Sequence, residues 1–256
     1  MKTARLHAAS TRAKVPKFRY CCMTCESNAA YVSREDLEMT QPQIIETRRL
    51  VSPARTPQAL AWGRCNNKLW IGSRDLRRVY LMDPENGLVL KEQEAPGIPW
   101  AAVALNGELR FTIGEGADDD RCIYRYTPEG GFSKMFACPE FTGSYLSFDG
   151  KDLYMSQWYN KRVLKFDDKG NVLREIDVGA EICGHTFANG SLYVLRGQEQ
   201  PNEDWQIARV NFQEQKPIVE DIAVVPFASR SLTFDGELFW SNYRAKDTII
   251  AFALPR

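Results

Sequence analysis

Of the two histidines in this 256-residue chain, His185 is the residue best suited by type to proton transfer. An imidazole titrates near neutrality, so a histidine beside a carboxylate such as Glu115 can act as a general base. Cys183 stands two residues earlier. On an extended strand residues i and i+2 point the same way, which also allows a Cys–His nucleophile pair. The plainer alternative for both is structural, with the histidine hydrogen-bonded near the centre of the fold. The run Asp118-Asp119-Asp120 offers oxygen ligands to a hard cation, or simply a solvated loop. Cys21, Cys22 and Cys25 form the one concentrated thiol group. A closed zinc site takes four ligands and only His7 is near, so exposed or structural thiols are the simpler reading.

Such residues must be positioned by regular elements, and the sequence supplies them as repeats. Five segments combine an apolar stretch, a turn, and a leucine that opens a second strand. They read AWGRCNNKLWIG (61–72), ALNGELRFTIG (104–114), SFDGKDLYMSQ (147–157), FANGSLYVLR (187–196) and TFDGELFWSN (233–242). Their leucines, Leu69, Leu109, Leu153, Leu192 and Leu238, recur about 40 to 46 residues apart, the period of a four-stranded propeller blade. Asn106-Gly107, Asp149-Gly150, Asn189-Gly190 and Asp235-Gly236 are dipeptides favoured in tight hairpins. A third strand follows each repeat, as in RRVYLMD (77–83) and KRVLKFD (161–167), and fourth strands such as VLREIDV (172–178) follow most.

The fifth repeat reaches Arg256 with only three strands. QIIETRRL (43–50) is expected to supply the fourth, which would close the ring and cover its last open edges. The predicted fold class is therefore all-β, a five-bladed β-propeller of four-stranded antiparallel blades closed by an N-terminal strand, spanning 42–256. Residues 1–41 form a basic, cysteine-containing segment expected to be partly disordered, with Ser33-Arg34-Glu35-Asp36 able to cap a short helix.

Blade assignment turns scattered residues into one face. Loops from each fourth strand to the next first strand bring Gln58, Trp100, Tyr145, His185 and Arg230 to the channel entrance. The second-to-third loops add Arg74, Glu115, Gln157, Trp158, Tyr159, Arg196, Asn242 and Tyr243. Aromatic residues with a few convergent polar groups are the usual lining of a small-molecule site. Two of these loops, 114–121 and 196–206, are predicted to be longer than the rest, and loops on a rigid scaffold tend to carry binding residues.

The stretch at 148–172, FDGKDLY followed by RVLKFDDKGNV, resembles the propeller superfamily that includes gluconolactonase-like, NHL-like and YVTN-like proteins. The resemblance covers roughly residues 42 to 256 and implies a fold shared by many unrelated functions. Gluconolactonase-like enzymes hold a divalent metal through carboxylates and amides at the channel mouth. This chain has no acid at its five entrance positions, so no metal is expected there. A weaker similarity connects it with the five-bladed glutamine cyclotransferases, which place a glutamate after the second strand of an early blade. The matching stretch here is Trp70-Ile71-Gly72-Ser73-Arg74, with no glutamate, and Glu115 lies one blade on.

Lysine plus arginine equals aspartate plus glutamate at 33 each, without the basic excess typical of nucleic-acid binders. No apolar run approaches the ~20 residues of a membrane helix, so a soluble protein is expected, with no membrane partner. Seven cysteines without a framework spacing fit a reducing compartment. The expected location is cytoplasmic, or the mitochondrial matrix if the acid-free start from Lys2 to Arg19 is a presequence. The expected function is a binding module that presents the aromatic channel-mouth face to a partner protein or a small polar ligand, with no cofactor. The alternative is an enzyme, hydrolase, lyase or cyclotransferase-like, acting at that face.

Overall fold

The computed structural model describes residues 41–213 and 216–255. The basic segment up to residue 40, with its three cysteines and the helix cap after Ser33, lies outside the described residues. Among the described residues no helix is long and apolar enough to cross a membrane.

Twenty strands among the described residues pair into five antiparallel four-stranded sheets. Blade 1 holds β2 (Pro57–Gly63), β3 (Lys68–Ser73), β4 (Arg78–Met82) and β5 (Val89–Glu94). Blade 2 holds β6 (Ile98–Leu105), β7 (Glu108–Glu115), β8 (Asp120–Thr127) and β9 (Gly131–Ala137). Blade 3 holds β10 (Leu146–Phe148), β11 (Leu153–Gln157), β12 (Arg162–Phe166) and β13 (Val172–Asp177). Blade 4 holds β14 (Glu181–Ala188), β15 (Ser191–Gln198), β16 (Asp204–Asn211) and β17 (Ile218–Val225). Blade 5 holds β18 (Ser229–Phe234), β19 (Phe239–Tyr243) and β20 (Thr248–Ala253), and its outer strand is β1 (Ile45–Val51).

The closing strand comes from the N-terminal side, as its sequence predicts. β1 runs antiparallel to β20, from Ile45 opposite Ala253 to Val51 opposite Thr248. Two backbone bonds extend the tie beyond blade 5: the Ile44 amide donates to the Val224 carbonyl at 3.0 Å, and the Val224 amide to the Pro42 carbonyl at 2.9 Å. The segment entering β1 therefore fastens the outer edge of blade 4 to blade 5, and Ile44 is buried in the apolar layer formed largely by blades 3, 4 and 5.

Alternation of apolar residues along each strand fills the layers between adjacent blades, where propellers keep their core. The repeat leucines Leu69, Leu109 and Leu192 are buried there. At the axis the inner strands come so close that side chains must be small. A Cβ on Gly184 would lie 2.6 Å from the Ser231 carbonyl carbon, so only glycine fits between β14 and β18.

The two loops predicted to be long are instead tall hairpins. In blade 2 the ladder continues to Glu115 opposite Asp120, and in blade 4 to Gln198 opposite Asp204. Residues expected to be loop are paired strand, because backbone groups in a hairpin that can pair do so. These hairpins form raised walls on the face that carries the predicted site.

Candidate functional site

The inner strands supply the floor of this face through a shared irregularity. Register shifts between Pro57 and Leu60, Pro99 and Ala101, Ile182 and Gly184, and Arg230 and Thr233 put a bulge near the top of four inner strands. A bulge breaks strict alternation and re-aims a side chain. In blade 3 the Ser144 amide donates to the Ser156 carbonyl and the Ser156 amide to the Tyr145 carbonyl, which fixes Tyr145 at the same level. Gln58, Trp100, Tyr145 and Arg230 consequently converge on a cleft of about 430 Å³ over the channel mouth.

Trp158 forms one wall, its ring tilted against Tyr145 at 6.1 Å and edge-on to the buried Trp205 at 5.4 Å. Trp100 forms the other. The Arg121 guanidinium lies 4.0 Å from its ring centre and that of Arg74 lies 5.2 Å away, while its indole N–H donates to Asp119 at 2.8 Å. Tyr159 and Phe141, both exposed, stand at the rim.

Arg230 anchors the floor. Its side chain is only 2 % exposed, and it donates to both carboxylate oxygens of Glu203 and to Glu199 at 3.0 Å. Its guanidinium also lies over the Trp158 and Trp205 rings. Burial pushes the Glu203 carboxyl up, but hydrogen bonds from Arg230 and Trp205 outweigh it and hold the group below the usual carboxylate range. Next to it, the Gln58 amide N–H donates to the Tyr145 hydroxyl oxygen at 3.0 Å, and the Gln58 carbonyl accepts from Arg244 at 2.7 Å. Burial pushes the Tyr145 phenol well above its ordinary value, so it stays protonated, and its proton has no acceptor among the described residues.

Eight of the residues predicted for this face, Gln58, Arg74, Trp100, Tyr145, Gln157, Trp158, Tyr159 and Arg230, do line this cleft. Gln157 is already spent on structure, donating to Thr142 and accepting from Arg162 and Asn160. Four others are held elsewhere, and each position has a physical cause. Arg196 turns outward to a two-pronged pair with Asp221 at 2.9 and 2.8 Å. Asn242 is buried and donates to the Gln58 carbonyl at 3.1 Å, joining blade 5 to blade 1. Glu115 sits high on the blade 2 hairpin, where it accepts from Tyr124 and Lys134.

His185 lies past the bulge of β14, opposite Val194, one level below the entrance position assigned to it. It is 1 % exposed. Nε2–H donates to the Tyr145 carbonyl at 3.1 Å, so Nδ1 accepts from the Ser147 hydroxyl at 2.7 Å. Both nitrogens are engaged in stapling blade 4 to blade 3, and Glu115 is on another blade, so the expected general-base pair does not assemble. Cys183 is fully buried, and burial pushes its thiol well above the ordinary value, away from a nucleophilic thiolate. Among the described residues no three His, Cys, Asp or Glu side chains gather as a metal site, and Asp119 is committed to Trp100 and Arg121.

Burial of His185 depresses its pKa to about 4. Relative to an unfolded value near 6.5, the unfolded chain binds the extra proton first, so this group's contribution to stability is full above about pH 6.5 and declines as pH falls towards 4. The expected loss across that window is roughly 3 kcal/mol. Urea unfolding of the wild type and His185→Gln at several pH values checks this, since the substitution removes that part of the slope. Parallel curves for the two proteins would show that His185 is not the acid-sensitive staple.

Several cleft residues were not anticipated from sequence. Arg244 lies in the four-residue turn after β19, and only its adjacency to the predicted Asn242-Tyr243 loop hinted at it. Arg121 and Glu199 reach the cleft because the tall hairpins lift them.

No protein-family model matches the chain, and no curated protein is similar to it in sequence. Solved structures are similar in fold. Glutaminyl cyclase from Myxococcus xanthus superposes with a TM-score of 0.62 at 10 % identity, over 84 % of this chain and 98 % of that one. The PQQ-bound aldose sugar dehydrogenase of Streptomyces coelicolor gives 0.57 at 11 %, over 84 % and 100 %. A gluconolactonase from Xanthomonas campestris gives 0.51 at 12 %, over 83 % and 95 %. At these identities the likeness shows a shared β-propeller fold.

Proposed function

We propose that this propeller binds a small polar organic molecule in the cleft over the mouth of its channel. The observation that carries this reading is unused hydrogen-bonding capacity at the floor of an aromatic-walled cavity. Among the described residues the Tyr145 hydroxyl has no acceptor for its proton, and Arg244 has one hydrogen-bond partner, the neutral Gln58. Buried polar groups are ordinarily satisfied, and donors left open towards a concave site await a ligand or ordered water. A concave site with polar groups at its base suits a small molecule better than the flatter surface of a protein partner.

Catalysis on the bound molecule is the second reading. Tyr145 favours it, because a protonated phenol near the guanidinium groups of Arg230 and Arg244 is a proton donor placed at the cleft floor. The similar folds include a cyclase and a gluconolactonase, activities that belong to those proteins and that define the reaction classes to assay first.

A thermal-shift screen of polar metabolites tests the binding reading. Compounds that raise the melting temperature of the wild type are expected to lose that effect in Trp158→Ala and to keep it in Arg64→Ala, which lies in the turn between β2 and β3 and lines a separate cavity with the turn residues Asp149, Asn189 and Asp235. Linkage makes the shift grow with ligand concentration, by about 2.7 kcal/mol at a hundredfold excess over Kd. Loss of the effect in Arg64→Ala alone would move the site to the cavity that Arg64 lines.

A further inference from the structure

The charges around the cleft are unevenly matched. Arg230 is neutralised by Glu199 and Glu203, and Arg121 by Asp119. Arg244 has no carboxylate within ion-pair distance among the described residues, and donates to the side-chain amide oxygen of Gln58. Arg74 likewise has no ion pair among the described residues, and rests on the Trp100 ring. The remaining acid, Asp118, sits exposed at the rim and pairs with neither. Burial, and then repulsion from Arg230 and Arg74, outweighs the opposing influence of Tyr145 and of the more distant Glu203 and holds the Arg244 pKa below its ordinary value. A half-buried guanidinium with no carboxylate in direct contact is costly to desolvate, so Arg244 and Arg74 present charge and donors that an arriving anion would satisfy.

The geometry points to a planar, ring-bearing organic carboxylate as the ligand, an inference that rests on the binding reading above. Its carboxylate sits between Arg244 and Arg74, accepting also from the Tyr145 hydroxyl, and its ring lies against Trp158, since two guanidiniums cover Trp100. A guanidinium presents parallel N–H donors that match a carboxylate, whereas an amide of the same shape offers one acceptor and no charge. The Trp158 wall selects a flat apolar body, as indole rings stack best on planar groups.

The test uses matched pairs, benzoate, phenylacetate and indoleacetate, each with its carboxamide, titrated into the full chain with tryptophan fluorescence and calorimetry as readouts. At least one acid is expected to bind about tenfold more tightly than its amide, the difference between a charge-assisted and a neutral hydrogen bond. Arg244→Gln should erase that preference while the amide binds as before, and Arg244→Lys, which keeps charge without the fork, should retain part of it. Inorganic phosphate should not displace the acid. Equal binding of acid and amide, abolished by Trp158→Ala, overturns the carboxylate assignment and leaves the cleft reading standing. Displacement by phosphate as effective as by a second carboxylate also overturns it, in favour of a general anion site. If no acid or amide binds, or binding survives Trp158→Ala, the cleft reading falls and the inference with it.

Discussion

A chain truncated to begin at Pro53 is expected to lose cooperative folding, while one beginning at residue 41 keeps the melting temperature of the full chain. The first truncation removes β1 and its six register pairs with β20, together with the Ser52 amide bond to the Asp247 carbonyl. It also removes Ile44 from the apolar layer and frees the edge of blade 4 at Val224. Each lost ladder bond is worth roughly 1 kcal/mol, against a total domain stability of only about 5–15 kcal/mol. Two sheet edges would be opened as well, which invites association between molecules. The second truncation retains every contact described for the closing strand. Circular dichroism melts and light scattering read both effects. Equal melting temperatures for the two truncations would rule out closure by β1 as a source of ring stability.

Arg230→Met is the point substitution with the largest expected cost, about 2–4 kcal/mol by urea unfolding near neutral pH. Removing one partner of a buried ion pair leaves the other charge poorly compensated, and here two carboxylates, Glu199 and Glu203, would lose their direct ion-pair partner and keep only the more distant charge of Arg244. Both are partly solvated, which keeps the figure at the low end of the range for buried pairs. The pH dependence gives the effect a distinctive sign. In the wild type the folded-state pKa of Glu203 is depressed, so its contribution is present above its unfolded pKa and is lost as pH falls through the folded value. Without the arginine, burial is opposed only by the Trp205 hydrogen bond and the charge of Arg244, so that pKa rises and protonation relieves the variant at mildly acidic pH. The stability gap between wild type and variant should therefore narrow on acidification. The double variant Glu199→Gln with Glu203→Gln in the Arg230→Met background should recover part of the loss at neutral pH. A gap that stays constant with pH would show that Arg230 acts by packing between Trp158 and Trp205 and not by charge.

The repeats made the architecture legible because a blade is a local object. Each hairpin is announced by its own residues, and Asn189-Gly190 does take positive φ at both positions, as an Asn-Gly hairpin turn should. Asp149-Gly150 and Asp235-Gly236 turn by another route. Their aspartates accept backbone N–H bonds from the residues two and three positions on, and only the glycines have positive φ. The dipeptide predicts a turn correctly even where the turn type differs, because both types need a residue free to enter the left-handed region.

The residues that line the cleft were partly legible for the same reason. Trp100, Tyr145, Trp158 and Arg230 follow from counting positions within a repeat. His185 does not, because the residue at the bulge of β14, in the place Trp100 takes in β6, is Cys183, and His185 matches Ala102, two residues further down the strand. A period-two count carries no information about where that period breaks.

The sequence alone thus determined the number of blades, the strand order within each, and the origin of the closing strand, since periodicity and turn chemistry are written in consecutive residues. Only the tertiary structure decided which charges meet. Arg230 finds Glu199 and Glu203 some thirty positions away, Arg196 is taken by Asp221, and Arg244 is left with Gln58 from the opposite end of the chain. Partner choice among charged side chains depends on distance and burial across blades, quantities that the spacing of residues along one chain does not contain.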